Sequence, residues 1–183
     1  MSEGLPVIVL VPGAFGTPAC FDKLLPSLKE AGYSTHPGPY PSCNPPDPTI
    51  TTCAHDIASL RDTILLPLLD QQKKDVVILA HSYGGIVAGG AAKNLDKETR
   101  ATHGQVTGVI GLIYVAGNIA LEGESLSHAV GGAHPPFIKI DKVGRINQPL
   151  SLFPVKNKLI IYIKAVGGLG CYRASDGHLI QRL

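Results

Sequence analysis

The sequence predicts an α/β fold, a mostly parallel sheet with helices on both faces. Three observations carry that prediction. First, Pro6-Val7-Ile8-Val9-Leu10-Val11, Asp75-Val76-Val77-Ile78-Leu79 and residues 106–115 are dominated by unbroken aliphatic runs rather than alternating ones. That pattern marks strands buried on both faces, as parallel strands are. Second, segments of helical period separate these runs, which predicts right-handed βαβ units. Third, the run ending at Leu79 passes directly into Ala80-His81-Ser82-Tyr83-Gly84, and this into the Ala/Gly-rich stretch Ile86-Val87-Ala88-Gly89-Gly90-Ala91-Ala92. A helix of small residues packs close to a sheet, so this reads as strand, tight turn and helix.

Each element has its own local reason. Pro12-Gly13-Ala14-Phe15-Gly16 is a loop after the first strand. Thr17 is placed to cap a helix that has Pro18 at its first position. Phe21, Leu24, Leu25 and Leu28 follow at helical spacing, and Gly32 is a natural stop. Residues 33–40 suit a short edge strand, and the four prolines of residues 41–48 require a loop. A second helix is expected from Thr49 or Thr51, with Ala54, Ile57, Leu60, Ile64 and Leu68 on one face. Pro67 is expected to kink or end it. The helix after Ser82 should run to about Leu95, and Leu159-Ile160-Ile161-Tyr162-Ile163 is a further strand candidate.

Composition narrows the function. The chain has 183 residues, enough for one domain with a real core, and 44% are hydrophobic against 16% charged. A net charge of +2 gives no footprint for nucleic acid. No apolar run reaches membrane-spanning length, and residues 1–11 lack a signal-peptide pattern. A cytoplasmic location without membrane or nucleic-acid partners is the expectation. Cys20, Cys43, Cys53 and Cys171 have neither metal nor redox spacing, so they read as reduced thiols. A Cys43–Cys53 bridge is the minor alternative. No histidine cluster has metal spacing, and Gly13, Gly16, Gly84 and Gly85 form no dinucleotide or P-loop fingerprint. No cofactor is expected.

Ser82 is the candidate nucleophile. Its setting is the G-x-S-x-G nucleophile elbow with Ala80 in place of the first glycine. The bland reading is a serine that caps the next helix. The elbow holds the serine in a strained conformation over the sheet, and Ala80 and Gly84 must be small where strand and helix converge. Acyl transfer also needs donors for the oxyanion. The Tyr83 N–H comes from the turn itself, and the Ala14 N–H, with Phe15 as its neighbour alternative, from the loop after the first strand. His81 adjoins Ser82 and reads as a packing residue. His103, His128 and His134 lie on loops without a motif, and His36 and His55 read as surface.

Taken in order, Val9-Leu10-Val11-Pro12-Gly13-Ala14-Phe15-Gly16-Thr17-Pro18, the proline-rich loop, Val77-Ile78-Leu79-Ala80-His81-Ser82-Tyr83-Gly84-Gly85 and Gly111-Leu112-Ile113-Tyr114-Val115-Ala116 resemble the α/β-hydrolase superfamily. The likeness is to its small esterase-like members, among them plant methylesterases, hydroxynitrile lyases and many fungal proteins of unassigned substrate. It covers about residues 5–130, and Leu121-Glu122-Gly123-Glu124-Ser125-Leu126 looks like the entry to the family's lid. The resemblance implies a serine–acid–histidine triad in that chain order, a small-molecule acyl substrate and no cofactor. The glycine–histidine loop it implies has one echo in Gly177-His178, with Asp176 as the matching acid and Asp141 a weaker one; a plain surface turn is the bland reading of Asp176-Gly177-His178.

The resemblance fades beyond residue 140. Residues 1–140 carry nine Lys/Arg against twelve Asp/Glu, and residues 141–183 seven against two. The division expected is one hydrolase domain over 1–183, with a core at 5–117, a lid-like segment at 118–155 and a distinct segment at 156–183. A shortened C-terminal part is expected, with the strand at 106–115 left with an open edge or a makeshift neighbour. Three readings follow. The first is a serine hydrolase of esters or related small acyl substrates. The second is a truncated, inactive homologue, either a binding protein or the product of an incomplete gene. The third is a lyase on the same scaffold.

Overall fold

The computed structural model describes residues 4–43, 45–47, 50–129 and 131–132, and the backbone of strand residues 139–140, 146–147, 161–165, 171–175 and 178–182. Strands β1 (Val7–Val11), β2 (Thr35–Pro37), β3 (Val76–His81) and β4 (Val109–Val115) form the parallel part of a sheet in the order β2-β1-β3-β4. All five residues of β1 are buried, and they divide by parity. Ile8 and Leu10 meet Phe21, Leu24, Leu25 and Leu28 on one face. Val7, Val9 and Val11 join Leu60, Leu65, Leu69, Val87 and Ala88 on the other. Burial on both faces is why the run does not alternate.

The crossover after β1 is two pieces rather than one helix: a 3-10 turn at Pro18–Phe21 and helix α1 at Leu25–Glu30. Thr17 takes the N-cap position, but its side chain makes no capping hydrogen bond. Gly32, at φ 85°, ends the crossover as expected. Helix α2 starts at Cys53 and holds α geometry to Leu60. The Thr52 N–H at its start donates to His55 Nδ1 at 3.1 Å. Pro67 does not end the helix. From Arg61–Leu65 and through Pro67–Gln71 the turns widen to π geometry. A proline lacks the N–H and crowds the carbonyl four residues back, and a wider turn gives its ring room.

Helix α3 (Gly84–Ala91) stops short of Leu95. The Arg61 guanidinium donates to the Ala91 and Lys93 carbonyls, at 2.9 and 2.7 Å, and closes its end. Helix α4 (Lys97–Ala101) follows, with the Asp96 carboxylate accepting the Thr99 N–H at 2.7 Å. Strand β4 begins at Val109, three residues later than the apolar run; Val106 is 70% exposed, and the Thr107 hydroxyl donates to the Leu69 carbonyl.

Beyond the short helix α5 (Leu126–Ala129), β5 (Lys139–Ile140) and β6 (Ile146–Asn147) pair with each other. Strands β7 (Ile161–Ala165), β8 (Cys171–Ser175) and β9 (His178–Arg182) extend the main sheet to β2-β1-β3-β4-β7-β8-β9, with every new pairing antiparallel. The edge of β4 is therefore covered, with Gly111 opposite Ala165 and Val115 opposite Ile161. Cys20, Cys43 and Cys53 are free thiols. Among the described residues no helix is long and apolar enough to cross a membrane.

Candidate functional site

Three loops meet beyond the carboxyl ends of β1, β3 and β4, where open parallel sheets hold their ligands. Each contains one non-glycine residue in the left-handed region: Phe15 at φ 62°, Ser82 at 52° and Ala116 at 44°. Such a conformation costs on the order of 1–2 kcal/mol and persists only where the surroundings impose it. At Ser82 the imposing contacts are explicit. Its N–H donates to the Val115 carbonyl at 3.3 Å, and its carbonyl accepts the Asn118 N–H at 2.9 Å and the Gly85 N–H at 3.0 Å.

The small residues around it are required by contact. A Cβ on Gly84 would stand 2.4 Å from the Pro12 carbonyl oxygen, and one on Gly85 2.4 Å from that of Asn118. Ala80 is buried. The loop after β1 comes equally close: a Cβ on Gly13 would stand 2.9 Å from His81 Nδ1 and 3.1 Å from Ser82 Cβ. The structure thus brings Ser82, Tyr83 and the Gly13-Ala14 loop together. The Ala14 and Tyr83 N–H groups donate to no acceptor among the described residues. The His81 ring lies against Gly13, and burial holds its pKa below the usual histidine value, so it is neutral at pH 7.

The backbone of His178 lies apart from this place. Asp176 and Asp141 lie outside the described residues. His178 opens β9 opposite Ser175, four ladder steps from β3 across β4, β7 and β8. At the usual strand spacing that separation is on the order of 19 Å.

A buried polar cluster backs the loops. Asp56, fully buried on α2, accepts the Ser42 N–H at 2.8 Å, the Ser42 hydroxyl at 2.6 Å and the Tyr83 hydroxyl at 2.7 Å. The Tyr40 hydroxyl shares its one proton between the Pro12 and Gly13 carbonyls, 2.6 and 2.8 Å away. The rings of Tyr40 and Tyr83 meet edge to face, with centroids 5.7 Å apart and planes at 81°. Burial first, and Asp56 second, push both phenol pKa values well above the ordinary range, so both stay protonated donors. Burial likewise raises the Cys53 thiol.

Residues 8–161 match the sequence model of the alpha/beta hydrolase family. The chain belongs to that family. It is 32% identical over 124 residues to the alpha/beta hydrolase nvfD of Aspergillus novofumigatus, a match that covers 67% of this chain and 47% of that protein. The chain therefore spans about half the length of this curated relative. Among solved structures it resembles a pyrethroid hydrolase from Sphingobium faniae JZ-2, with a TM-score of 0.58 and 21% identity over 80% of this chain and 57% of the other. That likeness carries the fold.

In this hydrolase-family chain the Asp56 cluster is the part that sequence reading missed. One signal was available: Asp56 lies four residues before Leu60, one turn along the buried face of α2. A carboxylate there needs buried partners. A cavity of about 390 Å³ also opens beside α3, lined by Ile57, Ile86, Tyr114, Ile119 and Leu121 among others. It reaches Gly85 but not Ser82. Among the described residues no group of His, Cys, Asp and Glu could hold a metal ion.

Proposed function

We propose that the protein is a serine hydrolase acting on an ester or related small acyl substrate, with Ser82 as nucleophile. One observation carries the proposal: Ser82 stands in the left-handed region between β3 and α3, with the Gly13 loop closed against it and two backbone N–H groups beside it that have no acceptor among the described residues. The Ser82 Oγ attacks the acyl carbon and a base takes its proton. The carbonyl electrons move onto oxygen, which the Tyr83 and Ala14 N–H groups receive. Collapse expels the alcohol, which takes the proton back from the base. Water then hydrolyses the acyl-serine by the same steps. The base this reading assigns is His178 with Asp176 as its acid, and the backbone of His178 stands four ladder steps from β3.

Binding without turnover is the second reading. The four ladder steps between β9 and β3 favour it. Fluorophosphonate labelling, with mass spectrometry to locate the adduct, separates the two. Hydrolysis predicts rapid labelling at Ser82, loss of it in Ser82→Ala and a large loss in His178→Ala. Rapid labelling that survives His178→Ala would assign the base elsewhere. No adduct on cooperatively folded protein would overturn the hydrolase reading. Cyanide release from a cyanohydrin without ester hydrolysis would mark lyase chemistry instead.

A further inference from the structure

In a trans peptide the C=O and N–H of one unit point in opposite directions. Whatever holds the carbonyl therefore aims the amide. The Tyr83 N–H shares its peptide unit with the Ser82 carbonyl, which the Asn118 and Gly85 N–H groups hold. The Ala14 N–H shares its unit with the Gly13 carbonyl. That carbonyl accepts the Gly16 N–H at 3.1 Å from within its own loop and the Tyr40 hydroxyl at 2.8 Å from outside it.

We propose that Tyr40 is a positioning residue for this site: its hydroxyl anchors the Pro12 and Gly13 carbonyls and so turns the Ala14 N–H toward the space over Ser82. The catalytic consequence rests on the serine-hydrolase reading; the anchoring itself does not.

Three features make the anchor stiff. Tyr40 is only 5% exposed, so water does not compete for the two carbonyls. Its ring meets the edge of Tyr83, and Tyr83 is tied by its hydroxyl to the buried Asp56 carboxylate. Asp56 is itself held by two hydrogen bonds from Ser42, two residues beyond Tyr40. The cluster thus joins the side chain of Tyr83, whose own N–H is the other donor, to the residue that orients Ala14. Glycine at position 13 leaves its peptide free to turn, because no Cβ restricts it. The restraint must come from partners, and Tyr40 is the one that reaches the Gly13 carbonyl from outside the loop.

The test removes one hydroxyl. In Tyr40→Phe the Ala14 amide resonance should shift or broaden, with exchange of its proton at least tenfold faster, while the Asn118 and Gly85 amides stay as in the wild type. Fluorophosphonate labelling at Ser82 should slow by tenfold or more. For an activated ester, kcat should fall with KM changed less than twofold. The rate ratio between that ester and its thionoester should also fall, because sulfur fits the amide donors poorly and a loosened donor discriminates less. A merely structural role would lower the melting temperature and leave that ratio alone.

If Tyr40→Phe does not fold, 4-fluorophenylalanine at position 40 keeps the size and withholds the proton. In either case 4-aminophenylalanine restores a donor and should restore the wild-type behaviour. An unmoved Ala14 amide in the donor-free protein overturns the proposal, whatever the activity. A moved Ala14 amide in a protein that never labels at Ser82 keeps the anchor and overturns the hydrolase reading instead.

Discussion

Gly84 and Gly89 lie in the same short helix, and the same substitution should act on them with opposite sign. At Gly84 an alanine Cβ would be 2.4 Å from the Pro12 carbonyl oxygen and 2.7 Å from that of Val11. Both are backbone atoms of the first strand and its loop, so neither can rotate away. Relief requires α3 and β1 to separate by about 1 Å, an overpacking cost of roughly 1–3 kcal/mol. The helix propensity of alanine returns at most about 1 kcal/mol. The net is a loss of about 1–2 kcal/mol, or a melting temperature lower by roughly 3–6 °C for a domain of this size. At Gly89 the nearest atom to a new Cβ is the Tyr114 hydroxyl at 3.6 Å, an ordinary contact. There only the propensity remains, and Gly89→Ala should stabilise by about 0.5–1 kcal/mol. Thermal and urea unfolding of the two variants beside wild type make the assay. A Gly84→Ala protein as stable as wild type would refute the steric argument, and so would a Gly89→Ala protein that loses as much as Gly84→Ala. Because the Gly84 clash falls on Pro12, Gly84→Ala should also slow labelling at Ser82 more than its stability loss explains.

Other expectations follow from the same structure. Ser82→Gly should be more stable than Ser82→Ala by about 1 kcal/mol, because glycine accepts φ 52° without the Cβ penalty; equal denaturation midpoints would refute the strain argument. Asp56→Ala should cost about 3 kcal/mol or more, since it leaves the Tyr83 hydroxyl and the Ser42 donors without their acceptor, and an unfolding free energy from urea titration within about 0.5 kcal/mol of wild type would contradict that. Asp96→Ala should cost about 1 kcal/mol as a lost N-cap. Hydrogen bonds from Thr99 hold the Asp96 pKa below its model-peptide value. Its contribution is therefore complete above the unfolded pKa and disappears as pH falls through the lower folded one. The wild-type and Asp96→Ala stability curves should converge on acidification and stay parallel above pH 5.

Much of the fold was legible because β1, β3 and β4 are largely buried and joined by local crossovers. The β1, β3 and β4 runs announce themselves by continuous apolar character, and the Ser82 turn by the small residues around it. The limits lie where distant residues decide. Leu95 falls in the helical continuation by composition, yet Arg61, from another helix, closes α3 at Ala91. Pro67 reads as a helix end, yet the apolar face of Ile64, Leu65, Leu68 and Leu69 keeps the chain helical by widening its turns. The role of Asp56 emerges only when Ser42 and Tyr83, 14 and 27 residues away, are placed against it. The candidate donors Ala14 and Tyr83 follow from the motif order. The device that aims Ala14 does not, because Tyr40 lies in a proline-rich loop with no pattern of its own.

The wide turns between Arg61 and Gln71 change how this helix tolerates altered length. A helix with 3.6 residues per turn swings every later side chain by about 100° when one residue is removed. The front half sets Asp56 against Tyr83 and Ile57 against Gly90 of α3, and the rear half, with Leu65, Leu68 and Leu69, joins the core under the sheet. The two halves have different rotational demands, and the π turns reconcile them as a phase adjuster. Deleting a single residue there is absorbed by tightening a wide turn to regular α geometry, which leaves Leu68 and Leu69 facing the core and the front half still seated. The irregular stretch is thus the joint that lets one rod serve two surfaces.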